Sequence, residues 1–338
     1  MEKQTELQTI KADNTESERR LRAVGWIYYG VLLSLTVFRI IIYQWFSGLS
    51  SNVLEMVFTA VTQILLMGLL PFTLYLVFVA RGNAKERLTT VSNDFGYDPK
   101  LSPSIYVATI MIGLLLFFAN YGASYASTIA LRLIGYTFNT PAPTMMPDVG
   151  SMLMWMFFTA VLPACFEELS HRGLVLSAYR DLDVRSAVII SALTFALMHQ
   201  NIIQTFYAFI AGLILGSIAC YTRSIIPSMI IHFMNNAMGV LLDYSEQHGG
   251  KFYSLFLSVF SDITVTKLLI LIAAWAVTYY AIVRLLRQIK AYCAKEEVAT
   301  DNYFKTTSKS PFGYSGMIMA MSLGAITTLI TLIWGIAR

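Results

Sequence analysis

The stretch FEELSHRG, residues 166–173, places two adjacent glutamates, Glu167 and Glu168, together with Arg172 inside a run that is otherwise apolar from Met152 to Tyr179. Glu168 and Arg172 are four residues apart, the helical spacing for a charge-neutralising pair, and that pairing leaves Glu167 unexplained. Two later segments also carry polar groups. FALMH closes on His199, with Phe195 on the same helical face, and HFMNN opens on His232, with Asn236 one turn on. Taken singly, each histidine is accounted for by a hydrogen bond between packed helices. Taken together, a carboxylate pair, a histidine and a histidine–asparagine pair can perform hydrolysis. A carboxylate in a low-dielectric site can take a proton from water near neutral pH, and an adjacent imidazole can hold that water. An imidazole and a carboxamide can donate hydrogen bonds to a developing oxyanion. No nucleophilic serine or cysteine is required.

The elements that must position these groups are membrane helices. Hydrophobic residues make up 56% of the chain and charged residues only 13%, beyond the composition of a soluble domain. Apolar stretches long enough to span a bilayer lie near residues 22–46, 53–80, 105–135, 151–178, 184–200, 202–222, 225–242, 264–286 and 316–336. The fold expected is an all-α polytopic bundle of about nine transmembrane helices, the fifth and seventh being the shortest. Of the 20 Asp and Glu residues, Glu55, Glu167 and Glu168 alone fall within those stretches. Glu55 is at a span end within reach of water, whereas the pair at 167 and 168 is mid-span, where an unpaired carboxylate costs at least a few kcal/mol. Three of the four histidines, His171, His199 and His232, also fall within spans, and His248 lies in a loop. The expected organisation is a tail at 1–21, a three-span scaffold at 22–149, a functional core at 150–243, and a C-terminal part at 244–338.

Lysine and arginine set the expected orientation, because cytosolic loops are enriched in them. Alternate loops and the N-terminal tail hold 18 such residues, while the opposite loops hold Lys251 as their one clear example. This puts the N-terminus in the cytosol and, with nine spans, the C-terminus outside. The first apolar segment is too long for a signal-peptide core, so no cleaved leader is expected. The net charge of +4 is spread over these loops with no interleaved aromatic groove, which argues against a nucleic-acid partner. Cys165, Cys220 and Cys293 show neither paired nor metal-ligand spacing and are expected as free thiols. The loop YTFNTPAPTMMPDVG before the fourth span is proline-rich and expected to be irregular.

With these residues in view, EELSHR fits EExxxR, FALMH fits FxxxH and HFMNN fits HxxxN, in that order and on separate spans. The sequence resembles the CPBP family of intramembrane proteases, named for CAAX proteases and bacteriocin-processing enzymes and also called Abi, to which the type 2 CAAX prenyl protease is related. The resemblance covers roughly residues 150–243. It implies that Glu167 activates water with His199 beside it, that Glu168 and Arg172 position Glu167, and that His232 and Asn236 form the oxyanion-binding side. No cofactor is required on this reading. The alternative is a zinc site of Glu167, His199 and His232, since the family was first described as metalloproteases. One departure is His171, where relatives commonly have an apolar residue. It could pair with Glu167, add a metal ligand or face a polar cavity, and it is kept as a secondary site residue.

The expected function is peptide-bond hydrolysis in a membrane-anchored or lipidated peptide or protein, with the lipid bilayer as the other partner. A non-catalytic membrane regulator or immunity protein of the same fold is the alternative. Short loops and three spans before the core fit a bacterial cytoplasmic membrane. Other intramembrane proteases are disfavoured by their own motifs. HExxH and GxGD are absent, and the string GAS at Gly122–Ser124 lacks the following glycine of rhomboid-like enzymes.

Overall fold

A computed structural model describes residues 2–45, 51–80, 82–96, 101–138, 145–179, 183–261, 264–296 and 314–337, with side chains from Thr15 onward except those of Tyr43 and Ser51. These residues form eleven helices: α1 (Glu2–Trp45), α2 (Asn52–Phe78), α3 (Ala84–Phe95), α4 (Pro103–Leu133), α5 (Val149–Leu176), α6 (Val184–Met198), α7 (Ile202–Thr222), α8 (Ile226–Gln247), α9 (Lys251–Phe260), α10 (Val265–Lys295) and α11 (Ser315–Ile336). Residues 139–144 of the proline-rich loop lie outside the described residues.

Seven helices, α1, α2, α4, α5, α7, α10 and α11, are long and apolar enough to cross a membrane. The other two expected spans exist as helices but differ in kind. Helix α6 has only 15 residues, and α8 carries His232, Asn235, Asn236, Asp243 and Glu246 along its length. The outer surface is apolar, as a bilayer requires. Helix α10, for example, exposes Leu269, Ile270 and Val277 by 62%, 62% and 66%, a face that water would penalise.

Around the functional core, α8 packs against α4, α5 and α7, while α7 lies against α6. The small-residue face of Ala208, Gly212 and Gly216 makes the α6–α7 approach possible. A Cβ at Gly212 would sit 2.8 Å from the Cα of Ala192. A second close approach joins α2 to α5, where a Cβ at Gly68 would meet the Phe166 ring at 2.5 Å. Helix α3 begins at an Asn83–Glu86 capping box and covers the end of the bundle that carries the basic loops. There Phe95, 1% exposed, packs on Tyr75 and against Gly173. The Tyr75 hydroxyl donates to Asp94, which Arg20 also approaches at 3.6 Å.

Candidate active site

Helix α5 delivers the carboxylates through a backbone that leaves the regular α geometry twice. Widened π-type turns occupy Phe157–Val161 and Leu169–Leu176, on either side of the seven residues Leu162–Glu168. Such turns rotate a side chain out of its α-helical position and are frequent at functional sites. Proline contributes as well. Pro163 has no N–H to offer Thr159, its partner four residues back, and the Thr159 carbonyl accepts from Asn236 Nδ2 of α8 at 3.1 Å. The same device recurs on α2. Pro71 cannot bond the Met67 carbonyl, and the Ser170 hydroxyl of α5 donates to it. Two prolines thus free two carbonyls, and each anchors a neighbouring helix beside the glutamates.

Glu168 and Arg172 form the expected pair, both side chains fully buried, with Arg172 Nη1 donating to Glu168 Oε1 at 2.8 Å. Arg172 Nη2 also donates to the carbonyl of Gly212 at 3.2 Å, and its guanidinium lies 4.6 Å over the Phe195 ring, a cation–π contact. Glu168 Oε1 accepts a second bond, from His232 Nδ1 at 2.9 Å. Because a carboxylate only accepts, His232 carries its hydrogen on Nδ1 and turns Nε2 toward Glu167, 4.0 Å from Oε2.

Glu167 is 5% exposed. Its Oε1 accepts from Gln63 Nε2 of α2 at 2.7 Å, and Oε2 has no hydrogen-bond partner among the described residues. Glu167, His199, His232 and Asn236 line one cavity of about 210 Å³, room for on the order of seven waters. Phe195 is the spacer of this group, with its ring centroid 5.2, 5.3 and 5.7 Å from those of His171, His199 and His232. Asn236 is held by a relay, in which Asn120 Nδ2 donates to Asn235 Oδ1 and Asn235 Nδ2 to Asn236 Oδ1, each at 3.0 Å.

His171 takes a different place. It is fully buried, its Nδ1 is 2.7 Å from the backbone carbonyl of Glu167 rather than its carboxylate, and its Nε2 is 2.9 Å from the Tyr28 hydroxyl. That hydroxyl also donates to the Thr194 carbonyl, so His171 ties α5 to α1 and α6. Gln63, Tyr28, Asn120 and Asn235 are the residues that motif reading passed over. Gln63 and Asn120 were nevertheless visible as rare polar groups deep in two otherwise apolar spans, and Asn235 lies within HFMNN itself.

Glu167, His199 and His232 border the same cavity without standing at metal-ligand spacing, and no such group of three His, Cys, Asp or Glu occurs among the described residues. Two ligands of one tetrahedral zinc at bond lengths of about 2.0–2.1 Å are separated by roughly 3.4 Å, less than the 4.0 Å between Glu167 Oε2 and His232 Nε2. As placed here, Glu167 and His232 stand too far apart to share one zinc. Cys165, Cys220 and Cys293 are free thiols, and the latter two are buried.

Carboxylates, imidazoles and carboxamides thus border one cavity inside an all-α bundle with seven candidate membrane spans. Residues 149–238, which run from α5 into α8 and hold every residue of the three motifs, match the family model described as type II CAAX prenyl endopeptidase Rce1-like. That match covers about a quarter of the chain, and over it the sequence is similar to the Rce1-like model. No curated protein and no solved structure matches it.

Proposed function

We propose that the protein is an intramembrane endopeptidase, of a bacterial cytoplasmic membrane, that hydrolyses a peptide bond of a membrane-anchored or lipidated peptide or protein through glutamate-activated water. The observation that carries this reading is the buried, unpartnered Oε2 of Glu167 beside the cavity shared with His199 and His232. Gln63 fixes Oε1 and leaves Oε2 to accept a water O–H. Glu167 takes that proton as the water oxygen adds to the substrate carbonyl carbon, with His199 holding the water. The oxyanion is met on the side of the cavity that His232 and Asn236 border, with an N–H of Asn236 donating to it. Glu167 then passes its proton to the departing nitrogen, giving a carboxyl product and an amine product.

Charge is balanced throughout. Negative charge appears on the oxyanion only as Glu167 is neutralised, so the addition step leaves the net charge of the low-dielectric site unchanged. Purified protein in detergent, presented with membrane-anchored and lipidated peptides with and without a zinc chelator, tests the proposal. Cleavage should survive chelation and fall by about 10²–10⁴ in Glu167→Gln. Loss to the chelator and recovery with zinc would replace it with a metal mechanism. If no peptide is cut while Glu167→Gln still supports the cellular role of the intact gene, the protein is a partner-binding regulator.

A further inference from the structure

The catalytic cavity adjoins a larger one of about 450 Å³. Asn120, Gln204, Tyr207, Asn235 and Asn236 line both, so only these polar side chains stand between the two. Helix direction shows where this space leads. On α8, Gly239 and Asp243 line the larger cavity, beyond His232 and away from Arg223. On α5 the lining residues Trp155 and Thr159 precede Glu167, whereas Arg172 and then Arg180 follow it. On α2, Glu55 lines the cavity ahead of Gln63, and the loop with Arg81 comes after. The cavity mouth therefore lies at the end of the bundle opposite the basic loops.

Among the described residues the basic end is tightly packed near the site. Phe95 of α3 lies against Gly173, and the space beside Arg172 there is only about 20 Å³, too small for a polypeptide. At the open end the lining holds acceptors and no lysine or arginine: Glu55, Asp243 and, deeper, Asn120. The Oδ1 of Asn120 is buried and without a partner among the described residues, the position for an incoming N–H.

We propose that substrate reaches the site through this cavity from the membrane face opposite the lysine- and arginine-rich loops. By the charge rule for membrane proteins that face is extracytosolic. The substrate class is a polypeptide segment on that face, next to its membrane anchor, which presents amide or amine donors to the acceptor-lined passage. Calling the occupant substrate rests on the protease reading, but the route does not.

Cysteine accessibility tests the route. Gly239 suits the purpose, since a Cβ there meets no atom within 4 Å. Gly239→Cys, Lys251→Cys at the opposite-loop surface and Lys85→Cys on α3 are each made in a Cys165→Ala background and exposed to a membrane-impermeant maleimide in intact cells and in inverted vesicles. Gly239→Cys and Lys251→Cys should label at least about tenfold faster in cells, and Lys85→Cys in vesicles. Labelling of Gly239→Cys chiefly in vesicles overturns the proposal, as does its failure to label while Lys251→Cys reacts. Labelling needs no turnover, so an inert protease would leave this result intact.

Discussion

Replacing Arg172 with methionine isolates the energetics of the buried charge cluster. Methionine keeps a flexible apolar stem on the Phe195 ring but removes the cation that neutralises Glu168, the 2.8 Å bond to its Oε1 and the 3.2 Å bond to the Gly212 carbonyl. Both side chains of the pair are fully buried, so surface screening does not reduce the effect. Leaving one buried partner uncompensated costs about 3–5 kcal/mol, which for a chain of this size is a fall in Tm on the order of 10 °C. Removing both charges is far milder, because the amide oxygen introduced by Glu168→Gln still accepts from His232 Nδ1. Thermal unfolding in detergent, followed by tryptophan fluorescence at one scan rate, should therefore show Glu168→Gln/Arg172→Met at least half restored relative to Arg172→Met. A double variant as unstable as the sum of the two single variants would refute the coupling. It would also refute the view that Arg172 is there to neutralise Glu168.

Three further outcomes follow from the same geometry. Gln63→Leu removes the donor to Glu167 Oε1, a charge-assisted bond worth about 1.5–3 kcal/mol, and should lower kcat by roughly 10- to 100-fold with little change in KM for a cleaved peptide. Asn236→Ala removes an oxyanion donor and should lower kcat by about 10²–10³, with a loss of stability of about 1–3 kcal/mol because the Thr159 carbonyl loses its partner. Asp243, at the cavity mouth with Glu246, Glu55 and Tyr121 as its titratable neighbours, has its pKa raised to about 6 by burial and then by Glu246. A carboxyl that binds its proton more tightly when folded favours the fold below its ordinary pKa near 3.9, and that contribution is lost as pH rises through about 6. Asp243→Asn should flatten the decline in stability between pH 4 and pH 6 in a detergent unfolding series, whereas an unchanged slope would assign the decline to another group.

Much of the candidate site was legible because intramembrane polar groups are costly and therefore rare. Glu167, Glu168, Arg172, His199, His232 and Asn236 stood out against apolar runs, and helical spacing gave the Glu168–Arg172 pair correctly. Spacing could not reveal bonds between helices. The Glu168–His232 link crosses 64 residues of sequence and the Gln63–Glu167 link 104, so the tautomer of His232 and the free oxygen of Glu167 emerge only once the helices are packed. His171 shows the same limit, since its spacing from Glu167 allowed a carboxylate contact where the fold gives a backbone one. Pro71 and Pro163 were readable as helix-bond breakers, but which neighbour would take the freed carbonyls was not. Short or polar helices are also poorly described by hydropathy. Helices α6 and α8 were expected as spans, and they form, yet the polar groups of α8, His232, Asn235 and Asn236 among them, keep it from resembling a lipid-facing helix.

Water as the direct attacking group is the central claim, and product analysis tests it most directly. A cleaved peptide is processed by wild-type protein in H₂¹⁸O containing hydroxylamine, and the new C-terminus is weighed by mass spectrometry. Attack by Glu167-activated water should give a carboxyl product with one ¹⁸O per bond cut and no hydroxamate. A hydroxamate that grows with hydroxylamine concentration would reveal a covalent acyl-enzyme and contradict the mechanism.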